Sequence, residues 1–124
     1  MKKIEIDDFA SALMEELSEY SDEVADKIKK DTKEEADKCV EEIRERSPKS
    51  TGAYKDGWGS ETTLETRKNI QITIRNKKKY RITHLLENGH AKVNGGRVEG
   101  IVHIRIAEQN AEKMMVEKVK EAVR

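Results

Sequence analysis

The chain predicts an α+β fold: a long N-terminal helix and a C-terminal helix packed on a small, mostly antiparallel sheet with a short helix inserted. Three patterns carry that prediction. Apolar residues recur at three- and four-residue intervals from Phe9 to Ile43, the spacing of one helix face. Ile70, Ile72 and Ile74 alternate with polar residues, as in a strand with one buried face. At the end of the chain Ala111, Met114 or Met115, Val119 and Ala122 or Val123 return to helical spacing.

Length and charge set the frame for these elements. The 124 residues suit a single domain, 1–124, in three parts: an acidic N-terminal helix 1–46, a basic β-rich body 47–106 and a C-terminal helix 107–124. Charged residues make up 40% of the chain and aromatics only 4%, so the core is expected to be aliphatic and small. The formal charge is zero, yet residues 1–46 hold 9 Lys/Arg against 16 Asp/Glu and residues 47–106 hold 12 against 5. Such asymmetry suits subunit association or the steering of a polyanion. Cys39 is the only cysteine, which excludes an intrachain disulfide framework and points to a cytosolic origin. No apolar run approaches the roughly 20 residues that span a bilayer, and the first residues lack the apolar core of a signal peptide, so no membrane partner is expected.

Met1 to Ile6 reads as a short extended lead-in, with Asp7 or Asp8 as the N-cap of the helix that follows. Phe9, Leu13, Leu17, Tyr20, Val24, Ile28, Ala36, Cys39 or Val40, and Ile43 form its stripe to about Arg46. At 1.5 Å per residue that helix would be roughly 55 to 60 Å long. The stripe weakens across Lys29 to Glu35, so either a break lies there or the first half packs on another subunit. Ser47-Pro48 ends the helix, because proline disfavours helical backbone in the residue before it. Ser50-Thr51-Gly52 and Gly57-Trp58-Gly59 mark a loop in which Trp58 is an anchor and its glycine neighbours allow close backbone approach.

Strands are expected at about Ser60 to Glu65 and Asn69 to Arg75, followed by a turn at Asn76 to Lys79. Tyr80 to Glu87 reads as a short helix stopped by Asn88-Gly89. Asn94-Gly95-Gly96 is a tight-turn signal joining Ala91–Val93 to a strand from Val98 to Ile106, after which the last helix starts near Ala107. The stretch from Tyr80 to Arg105 packs a helix, a stop, a turn and a strand into few residues, and such density suggests a shaped surface.

Chemical motifs are sparse. Arg75, Lys77, Lys78, Lys79 and Arg81 put five cations in seven positions, which suits a solvated hairpin tip or, alternatively, a nucleic-acid-binding module that contacts phosphate. An aromatic stacking platform does not accompany them. His84, Glu87, His90 and His103 have the inventory of a metal-dependent hydrolase but not its spacing, there being no His-Glu-x-x-His pattern. Cys39 lies on the apolar stripe as a small hydrophobe. No phosphate loop or dinucleotide fingerprint is present, and no catalytic residue, cofactor or metal is expected.

One ordered set of motifs is more specific. Ser47-Pro48 with Thr51-Gly52-Ala53-Tyr54, then Leu85-Leu86-Glu87-Asn88-Gly89-His90, the Gly95-Gly96-Arg97-Val98 turn, and His103-Ile104-Arg105 followed by Ala107-Glu108 resembles the small tail-component family of tailed bacteriophages and prophages. The resemblance covers about residues 40–124. The sequence departs from the family pattern at Val102 and Ile106, where relatives often place prolines. It implies a non-enzymatic structural protein of virion assembly, acting in tail completion or head-tail joining at the neck as a ring-forming subunit. Its partners would be other copies of itself and other neck and tail proteins, close to packaged DNA, in the host cytoplasm during assembly and then in the virion. Tyr54, Trp58, His90, Arg97 and His103 are the expected contacts to subunits or partners.

Overall fold

A strand stands where the N-terminal helix is expected to start. In the computed structural model, which describes residues 2–7, 10–48 and 52–124, β1 (Lys2–Asp7) and β2 (Ala10–Glu16) pair antiparallel, with Ile4 opposite Ala12. The extended lead-in is present, whereas the helix from Asp7 or Asp8 is not: Asp7 ends β1, and Asp8 and Phe9 lie outside the described residues, as do Ser50 and Thr51. Period two explains the difference. Leu13 and Leu17 are four residues apart, so they also share one side of an extended segment, and both are buried.

The long helix, α1 (Asp22–Arg46), begins after a turn. Ser21 is its N-cap, accepting a hydrogen bond from the Val24 N–H at 3.2 Å, with Asp22 and Glu23 in the first turn to favour the positive end of the helix dipole. The helix is continuous through residues 29–35. The interval that lacks aliphatic residues is filled by buried polar ones: Lys29, Asp31, Thr32 and Glu35 are all inside. Lys29 donates to the Thr66 carbonyl at 2.5 Å, and Lys118 meets Glu35 at 2.8 Å. As expected, α1 ends at Ser47-Pro48, where the Ser47 hydroxyl donates back to the Ile43 carbonyl.

Beyond a short helical turn, α2 (Ala53–Asp56), come β3 (Trp58–Thr66) and β4 (Asn69–Asn76), a hairpin turning at Arg67-Lys68. The four-stranded sheet is antiparallel in the order β1-β2-β4-β3. Ile70, Ile72 and Ile74 form the buried face that their alternation predicts. A 3-10 turn at Tyr80–Ile82 leads into α3 (Thr83–Asn88), then the two-stranded ribbon of β5 (Gly89–Ala91) and β6 (Arg97–Glu99).

The last helix, α4 (Ile104–Ala122), starts three residues before Ala107, and the strand expected up to Ile106 stops at Glu99. It runs antiparallel along α1, Asn110 reaching Glu42 near one end and Lys118 reaching Glu35 further along. Sheet and helix pair form two layers around an aliphatic core. One part holds Leu13, Cys39, Val40, Ile43, Ile70, Ile72, Ile74, Ala107 and Ala111 with Tyr54 and Trp58; the other gathers Leu17, Ala25, Ile28 and Met115. The fold is α+β, with a long helix near each end.

Candidate functional site

At the corner where α2, β3, α3 and α4 meet, Tyr54, Trp58 and His103 converge. The rings of Tyr54, Trp58 and His103 are mutually edge-on, with centroids 5.4 to 6.2 Å apart. All three are buried, His103 completely. Nδ1 of His103 faces two acceptors, the Ile101 carbonyl at 2.6 Å and Oε1 of Glu87 at 2.9 Å, so this nitrogen carries its hydrogen. Nε2 lies 2.6 Å from the Tyr54 hydroxyl, whose pKa burial pushes well above the ordinary phenol value, so the hydroxyl keeps its proton as a donor. The arrangement orients an imidazole, but both ring nitrogens are spent inside the protein.

Glu87 holds this corner to α4. Its Oε1 accepts from the backbone N–H groups of His103 at 2.7 Å and Ile104 at 2.9 Å, and its Oε2 accepts from that of Arg105 at 3.0 Å. Those are unsatisfied donors at the start of a helix, and a carboxylate there also complements the helix dipole. Burial alone would raise the Glu87 pKa, but the hydrogen bonds from the His103 ring and the three N–H groups outweigh it and hold it down to about 2. The sequence shows Glu87 only as a possible metal ligand; its partners lie 16 to 18 residues away, beyond any local pattern.

The four candidate metal ligands are dispersed in role: His84 is exposed, His90 half-buried on the ribbon, and Glu87 and His103 are bonded to each other. Among the described residues no group of three or more His, Cys, Asp or Glu could hold a metal ion. None of the helices among them is long and apolar enough to cross a membrane.

The basic run is not a hairpin tip. It connects β4 to the 3-10 turn, and its geometry is set by Asn76, which is completely buried. The Asn76 side-chain N–H donates to the Tyr54 carbonyl at 2.6 Å, while its oxygen accepts from the backbone of Lys78 at 3.1 Å and Lys79 at 2.8 Å. Gly57 permits this approach: a Cβ there would lie 2.3 Å from the Asn76 oxygen. Lys77, Lys78 and Lys79 are exposed, and none is within ion-pair distance of a carboxylate among the described residues; Arg75 sits 3.8 Å from Glu61. Asn76→Ala should cost about 2 to 3 kcal/mol by stranding the Tyr54 carbonyl and two N–H groups. It should also speed tryptic cleavage at Lys77–Lys79, and a cleavage rate unchanged from wild type would show that something else holds the turn.

Above this corner the β5–β6 ribbon projects. Residues 91–99 are all exposed, and Val93 at the tip has no cover at all. Its base is tightly stitched. A Cβ on Gly89 would lie 2.4 Å from the Val98 carbonyl oxygen, one on Gly100 would lie 2.4 Å from that of Glu87, and the Ile101 N–H donates to the Leu86 carbonyl at 2.8 Å. Arg97 donates to the Asn88 carbonyl at 2.5 Å. Asn94-Gly95-Gly96 makes the tight turn expected of it, with Gly95 and Gly96 at φ 92° and 82°. Of the five expected contact residues, Arg97 and His90 are thus on the ribbon. Tyr54, Trp58 and His103 are engaged with one another inside the protein.

A family model described as Bacteriophage HK97-gp10, putative tail-component, matches residues 11–89. The chain belongs to this family. The HK97-gp10 match runs from β2 to the base of the ribbon, so it takes in three of the four strands of the sheet, β1 lying outside it, together with α1, the aromatic corner apart from His103, and the basic turn. No curated protein and no solved structure gives a significant match. An HK97-gp10 tail component is a structural protein of the phage virion; the match shares residues 40–89 with the expected resemblance, takes in residues 11–39 as well, and leaves His90, the Gly95-Gly96-Arg97-Val98 turn and His103-Ile104-Arg105 outside.

Proposed function

We propose that this tail component acts in tail completion or head-tail joining at the phage neck, as a subunit of a homo-oligomeric ring. The projecting ribbon is the observation that supports this reading. A two-stranded ribbon is marginally stable on its own in water, and this one exposes Val93 and Val98, with Ile82 and Ile101 exposed near its base. It gains cover by lying on a neighbouring subunit or on the next ring. The stitched Gly89–Gly100 base fixes the direction in which it reaches.

Made separately, Val93→Asp changes only a fully exposed position and should leave the melting temperature within about 2 °C of wild type, whereas Arg97→Glu also gives up the hydrogen bond to the Asn88 carbonyl and should lose about 1 kcal/mol. In a complementation assay with the tail-component gene deleted, either should reduce joined particles and leave free heads and free tails. Wild-type yields of joined particles from both variants would overturn the assignment of the ribbon to that contact.

A further inference from the structure

The inference concerns the exposed charges, and it rests on the ring reading above. Many cations among the described residues have carboxylate partners: Lys27 with Asp31, Lys33 with Glu65, Arg46 with Glu42, Arg67 with Asp22 and Lys118 with Glu35 are examples. Lys77, Lys78 and Lys79 differ from the other cations without such a partner in being adjacent, three exposed ammonium groups on a backbone pinned by Asn76. Like charges held in one rigid turn repel one another, and an opposing surface relieves that repulsion.

A surface of opposite sign exists on the same chain. Along the outer side of the second half of α1, Asp37, Glu41 and Glu45 follow one another at four-residue intervals, all exposed, and line a shallow groove with Glu42 and the cations Lys38 and Arg46, four carboxylates against two positive charges. Arg44 reaches Glu41 at 2.9 Å and Arg46 reaches Glu42 at 2.8 Å, whereas Glu45 has no cation within ion-pair distance among the described residues. The groove is therefore only partly neutralised.

The two surfaces lie on opposite sides of the sheet. Ser60 pairs with Ile74, so it points with the isoleucines toward the helices, and its hydroxyl is 3.5 Å from Asp37. Gly59 pairs with Arg75 and faces the other way, and the Lys77 side chain crosses over it, with Cε 3.7 Å from where a Cβ would stand. The lysine turn thus reaches across the helix-free face, while the acidic groove is on the helix side. One subunit cannot close that gap on itself. A second copy, presented head to tail, can.

We propose that the Lys77–Lys79 turn of one subunit docks on the Asp37–Glu41–Glu45 side of α1 in the next copy. Two different patches on opposite sides make a heterologous contact, which repeats around an axis and closes into a ring when the rotation allows. The zero formal charge fits a particle whose excess of each sign is used between its own copies. Attraction of this kind steers approach and fixes register more than it adds raw affinity, and salt screens it.

The test uses the full chain and light-scattering mass across concentration. Wild type should associate at about 0.05 M salt, and its dissociation constant should rise about tenfold or more by 0.5 M salt. Lys77→Glu/Lys78→Glu/Lys79→Glu and Asp37→Lys/Glu41→Lys/Glu45→Lys should each weaken self-association at least about tenfold, with the circular dichroism of the folded chain kept. Mixed in equal amounts, the two variants should associate again, because each supplies the patch that matches the other.

Association of wild type that ignores salt, together with variants that associate as tightly as wild type, overturns this docking and leaves the ring reading standing. A wild type that stays monomeric at every concentration overturns both. Binding of duplex DNA that the lysine variant loses, with self-association unchanged, also overturns the proposal and gives the turn to a polyphosphate partner instead.

Discussion

Trp58→Ala is expected to lower stability by about 3 to 5 kcal/mol, the usual cost of truncating a large buried aromatic side chain. The reason lies in how little else fills that corner. The chain has one tryptophan, one phenylalanine and three tyrosines, and Trp58 sits 3% exposed between Tyr54, His103 and the end of α1, where Arg44 donates to its carbonyl at 2.7 Å. Domains have only about 5 to 15 kcal/mol in hand, so the variant loses a large share of it and its melting temperature should fall by about 10 to 20 °C. Trp58→Phe, which keeps a ring in place, should lose less than half as much. Urea unfolding of the three proteins decides this. A loss under about 1 kcal/mol for the alanine variant would mean that the corner is held mainly by the polar contacts.

The second large effect is acid sensitivity. Glu87 has its pKa depressed from 4.5 to about 2 in the folded chain. A carboxyl depressed on folding contributes stability above its unfolded pKa and loses it as pH falls through the folded one. The contribution of Glu87 is therefore complete above about pH 5 and should disappear progressively toward pH 2, with a size on the order of 3 kcal/mol. Glu87→Gln keeps the shape but donates where the carboxylate accepts, so it should be destabilised at pH 7. It should also lose less stability than wild type between pH 5 and pH 3. Parallel curves for the two proteins across that window would remove Glu87 as the source of the acid response. Because Glu87 caps α4 and sits at the foot of the ribbon, tryptic cleavage at Arg97 at neutral pH should be faster in Glu87→Gln than in wild type.

What could be read from the residues depended on whether a pattern fits one period or two. Ile70, Ile72 and Ile74 fit only a strand, and Ala36, Val40 and Ile43 only a helix, and both readings hold in the structure. Leu13 and Leu17 fit either, since four is a multiple of two and close to one helical turn. The deciding signal was present at Ser21-Asp22-Glu23, a cap followed by acidic residues, which marks the start of α1. Val102, Ile104 and Ile106 alternate as a strand would, yet the Glu87 carboxylate, contributed from α3, organises the first turn of α4 there. Contacts of that range have no local signature. Asn76 shows the same limit: its type and its turn, closed by the Lys78 and Lys79 N–H groups, were legible, whereas its buried hydrogen bond to the Tyr54 carbonyl depends on a segment 22 residues earlier in the chain. The ribbon, by contrast, is legible from Asn94-Gly95-Gly96, because a tight turn needs backbone angles that glycine supplies.

The buried Lys118–Glu35 pair has a consequence for assembly geometry. Two helices with purely aliphatic seams can slide past one another by a turn, about 5.4 Å, with modest loss. Here such a slip would carry Lys118 off Glu35 and leave a carboxylate only 2% exposed with the solvent-facing Lys38, 3.3 Å away on its own helix, as its remaining cation, a larger penalty than a misplaced methyl group. The pair works as a detent: it sets one axial offset between α1, with its acidic side, and the foot of α4, where the ribbon is rooted. In the proposed ring, that length would be the same in every copy.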